Sequence, residues 1–224
     1  MMISPESYYE TYVKGKTKEE IMSVIKDLKR EISRLKYKME HPDYSDRLII
    51  TPGDLMRIHM SREYLDMAKL AYKEAGGIYE PSNAEKKALK FQENIVHINK
   101  ISFTIGGFFQ GHTTYTIEIS DELKAYSYEM RNEVEKSLIL KDMDNLPYTV
   151  DSFRNELKRI CIGEWRSGYD LERFGLSIRD GTAWELEIEY NNDIKPVRKH
   201  GVNAYPYNFD EFKRLFNIDE NEEV

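Results

Sequence analysis

Hydrophobic positions near the start of the chain recur at helical steps. Ile21, Ile25, Leu28, Ile32, Leu35 and Met39 follow one another at intervals of four, three, four, three and four, the spacing of a heptad seam. The pattern predicts a helix from about Thr17 to Glu40. Thr17 and Glu20 have the separation at which each side chain satisfies an open backbone N–H of the first turn, and His41-Pro42 stops the helix. A shorter helix opening at Ser4-Pro5 and carrying Tyr8, Tyr9 and Tyr12 precedes it, with Gly15 between the two. A second long helix is expected from Thr51, with Thr51 as N-cap, Pro52 at the first position and Asp54 in the positive first turn. Leu55, Ile58, Arg62, Leu65, Ala68 and Tyr72 trace one of its faces, and Gly76-Gly77 closes it. The short 42–50 connection folds the two long helices into an antiparallel hairpin. The seam at 21–39 serves either packing within this hairpin or a contact between two copies of the chain.

Beyond a polar bridge at 81–93, read as a short helix at most, the period falls from about 3.6 to 2. Ile95, His97, Asn99, Ile101, Phe103 and Ile105 alternate with more polar neighbours as a strand, ended by Gly106-Gly107. Gln110-Gly111-His112 reads as a hairpin turn, and Thr113–Ile119 returns. The next segment reads as a helix capped at Ser120 and carrying Leu123, Tyr126, Met130, Val134 and Leu138, with a strand through Ala125, Ser127 and Glu129 as the rival. Asp151 is expected to cap a helix bearing Phe153, Leu157 and Ile160. Thr182–Tyr190 alternates cleanly: Trp184, Leu186, Ile188 and Tyr190 on one face, Glu185, Glu187 and Glu189 on the other, as in a half-buried antiparallel strand. Ile194–Gly201 is its partner and brings Lys195, Arg198 and Lys199 toward the glutamates. A last short helix spans 208–216. The chain is therefore expected to be α+β: a helical hairpin over 1–80, then an antiparallel-sheet domain with short helices over 81–224.

Composition narrows the function classes. The 224 residues include 16 Tyr and 9 Phe, enough aromatic mass for a packed core. The formal charge of -7 argues against a general nucleic-acid coat. One cysteine, Cys161, excludes an internal disulfide and a cysteine-based zinc or iron–sulfur site in one chain. Flanked by Ile160 and Ile162, its thiol is expected to be buried and inert. No apolar run approaches a membrane span and the N-terminus lacks a signal-peptide pattern, so a cytoplasmic location is expected and a membrane partner is not.

Charge is distributed unevenly. From Lys14 to Lys38 nine basic residues stand against four acidic ones, a net +5 that leaves -12 for the rest. Such asymmetry suits contact with a polyanion or an acidic protein surface. Lys26, Lys29, Arg30 and Lys36 are the candidate binding residues, placed on the helix face away from the seam. The row Glu185, Glu187, Glu189 is a second candidate binding surface that could hold a divalent metal or mimic a line of phosphates, or else is a solvated face paired by Lys195 and Arg198. Signatures of catalysis are not found: no HxxxH or HExxH pair, no GxSxG elbow, no glycine-rich phosphate loop. A metal held by His97 and His112 across the 95–119 hairpin is the remaining enzymatic option. Neither cofactor nor catalytic residue is assigned.

Two stretches, SPESYYETYVKGKTKEEIMSVIKDLKREISRLK and DGTAWELEIEY with HGVNAYPYNFDEFKRLF, resemble small accessory proteins of phages and mobile elements of Firmicutes. The first is similar to the N-terminal region shared by a group of type II-A anti-CRISPR proteins. The resemblance implies an inhibitor in the bacterial host cell whose partner is Cas9 or the Cas9–guide RNA complex, with direct RNA contact in some members, and it carries no active site with it. The expected function is thus binding rather than catalysis. The alternatives are a small metal-dependent nucleic-acid-processing enzyme and a homodimeric scaffold joined through the seam.

Overall fold

The computed structural model describes residues 3–44, 52–107, 109, 111–177 and 180–218. The chain separates into two compact units, Met1–Pro81 and Ser82–Val224.

The first unit is helical. Ser4 caps α1 (Pro5–Tyr8), which runs into a single π-helical turn at Tyr9–Val13. Gly15 comes next with a positive φ of 75°, a backbone state that glycine adopts without steric cost. Helix α2 spans Lys18–Met39 with the Thr17/Glu20 capping box formed in both directions. Helix α3 spans Asp54–Glu74 and is capped by Gly53, a later start than its sequence suggests; Thr51 lies outside the described residues. Ile21, Ile25, Ile32 and Leu35 are buried on α2, and Ile58, Leu65, Ala68 and Ala71 on α3. The seam is consumed by this intramolecular packing, so it is not exposed for a second copy. Leu28 and Met39 are only half-buried. Lys38 pairs with Asp54 at 2.5 Å and Arg57 with Glu31 at 2.5 Å, so the end of α2 meets the start of α3 and the two helices run in opposite directions.

The second unit opens with α4 (Asn83–Asn94), a full helix capped by Ser82 and Glu85 where the sequence reads as a polar bridge. Its single buried side chain is Phe91, too little apolar periodicity to announce a helix. Among the described residues seven strands come after it: β1 (Ile98–Gly107), β2 (Gly111–Ile119), β3 (Leu123–Glu129), β4 (Val134–Leu138), β5 (Gly168–Tyr169), β6 (Thr182–Tyr190) and β7 (Val197–Val202). Their order in one sheet is β4-β3-β2-β1-β6-β7-β5, antiparallel except for the short β5–β7 pair. The fold is therefore α+β. Helix α5 (Val150–Ile160) is capped by Thr149, with Asp151 in its first turn and not at the cap; α6 spans Phe209–Arg214.

Two strand expectations need correction. Ile95–His97 forms a 3-10 turn, and the ladder slips between Ile98 and Lys100. This bulge puts Ile98 in the core beside Ile101 and Phe103, breaking the simple alternation from Ile95. The segment 120–138 is a β3–β4 hairpin and not a helix. Its apolar residues fit a helical period by coincidence, and pairing with β2 along Thr113–Ile119 decides the matter.

The core lies on one face of the sheet. Phe103, Phe153, Trp165, Trp184, Phe209, Phe212 and Phe216 are buried there, with Phe103 edge-on to Phe212 at 5.1 Å and Trp165 to Phe212 at 5.1 Å, a favoured aromatic geometry. Trp165 Nε1 donates to Asn208 Oδ1 at 2.9 Å, Asn208 Nδ2 donates to the Ile160 carbonyl at 2.6 Å, and Trp184 Nε1 donates to the Ala204 carbonyl at 2.9 Å. Buried donors are thereby satisfied. Gly163 lets the turn after α5 approach α4, since a Cβ there would lie 2.7 Å from Phe91 Cβ.

Candidate functional site

Helix α2 turns about 100° per residue, so its seam fixes which side chains face outward. Lys26 and Arg30 stand exposed opposite the seam, as their sequence positions suggest. Lys29 and Lys36 do not: both are half-buried because their positions flank the seam. Lys29 Nζ donates to Tyr79 Oη at 3.1 Å and lies 5.8 Å from that ring's centre, with Lys69 Nζ on the same ring at 4.9 Å. Lys29 thus fastens α2 to the segment after α3. Arg34 and Tyr37 occupy the outer stripe instead, with Tyr37 51% exposed. Wheel arithmetic from the seam finds both; counting basic residues alone misses Tyr37.

The stripe is only partly neutralised. Arg30 pairs with Asp27 at 2.8 Å, and Arg34 with Glu31 at 2.8 Å. Glu31 is also held by Arg57. The hydrogen bond from Arg34, opposed by partial burial and aided by both guanidinium charges, holds the Glu31 carboxyl below its ordinary range. Lys26 makes no ion pair among the described residues. Lys26, Arg30, Arg34 and Tyr37 therefore offer cations and one aromatic ring along about 17 Å of helix, taking a 1.5 Å rise per residue.

The acidic row is real but engaged. Glu187 accepts from Arg198 at 2.6 Å, and Glu189 meets Lys100 at 3.3 Å. Glu185 is exposed and stands opposite Thr104 and His200 in the ladder. Lys199 does not join them. It lies 2% exposed on the opposite, core-facing side, donating to the Trp165 carbonyl at 2.6 Å. Burial, with a smaller push from the Lys87 charge, lowers its pKa to about 8. The two histidines proposed for a metal are at opposite ends of the hairpin. His112 pairs across from Gly106 while His97 precedes β1, a separation of roughly 30 Å at 3.3 Å per residue. No cluster of three metal-ligating side chains occurs among the described residues. Cys161 is half-buried and not fully buried, at a left-handed position (φ 56°), its Sγ within 3.4 Å of the Lys158 carbonyl oxygen.

The sheet unit also carries a concavity. A groove of about 680 Å3 beside β4 is lined by Leu138, Ile139, Lys141, Tyr148, Arg159 and Arg214 among others. Arg159 forks between Glu156 at 2.6 Å and Glu211 at 2.5 Å, and these hydrogen bonds raise its pKa against the effect of burial. Burial and nearby carboxylates push the Tyr148 hydroxyl up to about 12.

No protein-family model, curated protein or solved structure matches the chain. No described helix is long and apolar enough to cross a membrane.

Proposed function

We propose that the protein is a mobile-element inhibitor that binds Cas9 or the Cas9–guide RNA complex and blocks it by occlusion. The carrying observation is the outer stripe of α2, where Lys26, Arg30 and Arg34 stand exposed with Tyr37. A stripe of this kind suits a polyanion or an acidic protein surface, because several cations spaced along one rigid helix engage such a partner together. The likeness of the N-terminal stretch to anti-CRISPR proteins supplies the choice of partner. Inhibition by occlusion needs shape and charge, and no reacting group.

Pull-down of purified Cas9, with and without guide RNA, followed by a DNA-cleavage assay tests the reading. Retention of either form together with loss of cleavage is expected. Cleavage at full rate under excess protein, with neither form retained, contradicts it.

A further inference from the structure

The sheet has two edges, and they are built differently. At one end β5 is two residues long with Tyr169 buried, too short to template another strand. At the other end β4 has no partner on its outer side among the described residues, and Val134, Glu135, Lys136 and Ser137 are all exposed. Such an edge presents a row of unmet backbone N–H and C=O groups that an extended chain can complete. Edge strands are often guarded by a lysine, but Lys136 is turned back onto Glu129 of β3 at 2.7 Å.

The loop after β4 is preorganised. Asn217 Nδ2 donates to the Ile139 carbonyl at 2.5 Å and Asn217 Oδ1 accepts from the Lys141 N–H at 3.3 Å. Asp142 Oδ1 accepts from the Asp144 and Leu146 N–H groups at 3.0 and 2.9 Å. The loop so held displays Ile139 at 67%, Leu146 at 60% and Met143 at 86% exposure. Charge in the adjoining groove is unequally spent. Glu156 and Glu211 are committed to Arg159 and Asp142 to its own loop, whereas the Lys141 ammonium makes no ion pair among the described residues.

We propose that the β4 edge and its groove form a docking site for an extended peptide segment of a partner protein. The segment adds as an eighth strand against Val134–Leu138. It lays apolar side chains on Ile139 and Met143 and sets a carboxylate against Lys141. Backbone pairing supplies the affinity, and the carboxylate supplies the selectivity. This surface is independent of the α2 stripe.

The test uses the full chain and a fluorescein-labelled hexapeptide, Thr-Val-Glu-Ile-Thr-Val. Its companions are a version with Lys in place of Glu and a version N-methylated at alternate residues. Expected are saturable binding of the Glu peptide, slowed amide exchange at 134–138, and loss of binding on N-methylation. Lys141→Glu should reverse the preference, wild type favouring the Glu peptide and the variant the Lys peptide by about fivefold each, which is about 1 kcal/mol. Several results would overturn the proposal. One is no binding; another is protection confined to residues outside 134–146. N-methylated peptide bound as well as its parent would also count against it, as would unchanged preference in Lys141→Glu. So would sedimentation showing that the edge is already taken by a second copy.

Discussion

The helical unit and the sheet unit are held together by different chemistry. In the first, aliphatic side chains are buried, Ile21, Ile25, Ile32 and Leu35 on α2 and Ile58, Leu65, Ala68 and Ala71 on α3, and ion pairs at Lys38–Asp54 and Glu31–Arg57 join the two helices. Apolar volume is modest, so the outward faces remain available for charge. In the second, Phe103, Trp165, Trp184, Phe209, Phe212 and Phe216 interlock on one side of the sheet, and the indole N–H groups are tied to Asn208 and the Ala204 carbonyl. The helix pair has an aliphatic core beneath a chargeable surface. Aromatic packing makes the sheet unit a rigid platform with an open edge at β4.

Several changes would break or sharpen this contrast. Phe212→Ala should be the most damaging, because Phe212 contacts Phe103, Trp165 and Phe216; truncating a buried aromatic costs about 3–5 kcal/mol. Both tryptophans, Trp165 and Trp184, lie in the sheet unit, so their fluorescence during urea unfolding reads that loss. Ile32→Asp should cost about 3–4 kcal/mol through an unpaired buried charge. The loss belongs to the helical unit, visible as an early far-ultraviolet circular dichroism transition. Coincident movement of the tryptophan transition would show instead that the two cores unfold as one.

Lys199→Met probes the sheet unit by pH. Burial places the folded pKa, about 8, below the ordinary 10.5. The native state therefore carries fewer protons between those values, and wild-type stability rises with pH across that window, by at most about 3 kcal/mol. Below pH 8 the buried ammonium is a fixed penalty. The variant should lose this rise in denaturant titrations at pH 7.5 and 10, although the Trp165 carbonyl gives up its donor. Asp54→Asn should cost about 1–3 kcal/mol in the helical unit. Burial raises the Asp54 pKa, but the hydrogen bond and charge of Lys38, with Arg57 and Tyr44, outweigh it and leave the pKa below its ordinary value. The wild-type contribution should therefore be present above pH 4 and fade as acid protonates the carboxylate, which thermal melts at pH 7 and pH 3 would show. The smallest effect belongs to Lys26→Glu with Arg30→Glu, exposed positions whose stability change should stay within about 0.5 kcal/mol by thermal melting.

Structure is legible in the sequence where near neighbours decide it. The Thr17/Glu20 box, the α2 seam and the alternation of Thr182–Tyr190 are complete within a few residues, and each appears as expected save that Leu28 and Met39 of the seam are half-buried. It is illegible where distant pairing decides. Tyr126 and Val134 lie on strands only because β2 offers its edge to β3, and β3 in turn to β4. The slip at Ile98 depends on β6. Lys199 reads as a partner for the glutamates, but strand parity sends it to the core. For the outer stripe of α2, Lys26 and Arg30 are legible from charge, whereas Lys29 needs Tyr79, fifty residues away, to explain its engagement. The β4 edge is invisible because strand order is a property of the whole sheet.

The outer stripe of α2 is the proposed inhibitory surface. Affinity for the Cas9–guide RNA complex should be measured for wild type and for Lys26→Glu/Arg30→Glu/Arg34→Glu across a salt series. The triple variant is expected to bind about a hundredfold more weakly, or worse, at low salt, each reversed cation contributing on the order of 1 kcal/mol, with the difference shrinking as salt rises. Equal affinity of the two proteins at every salt concentration, with cleavage still inhibited, would contradict it.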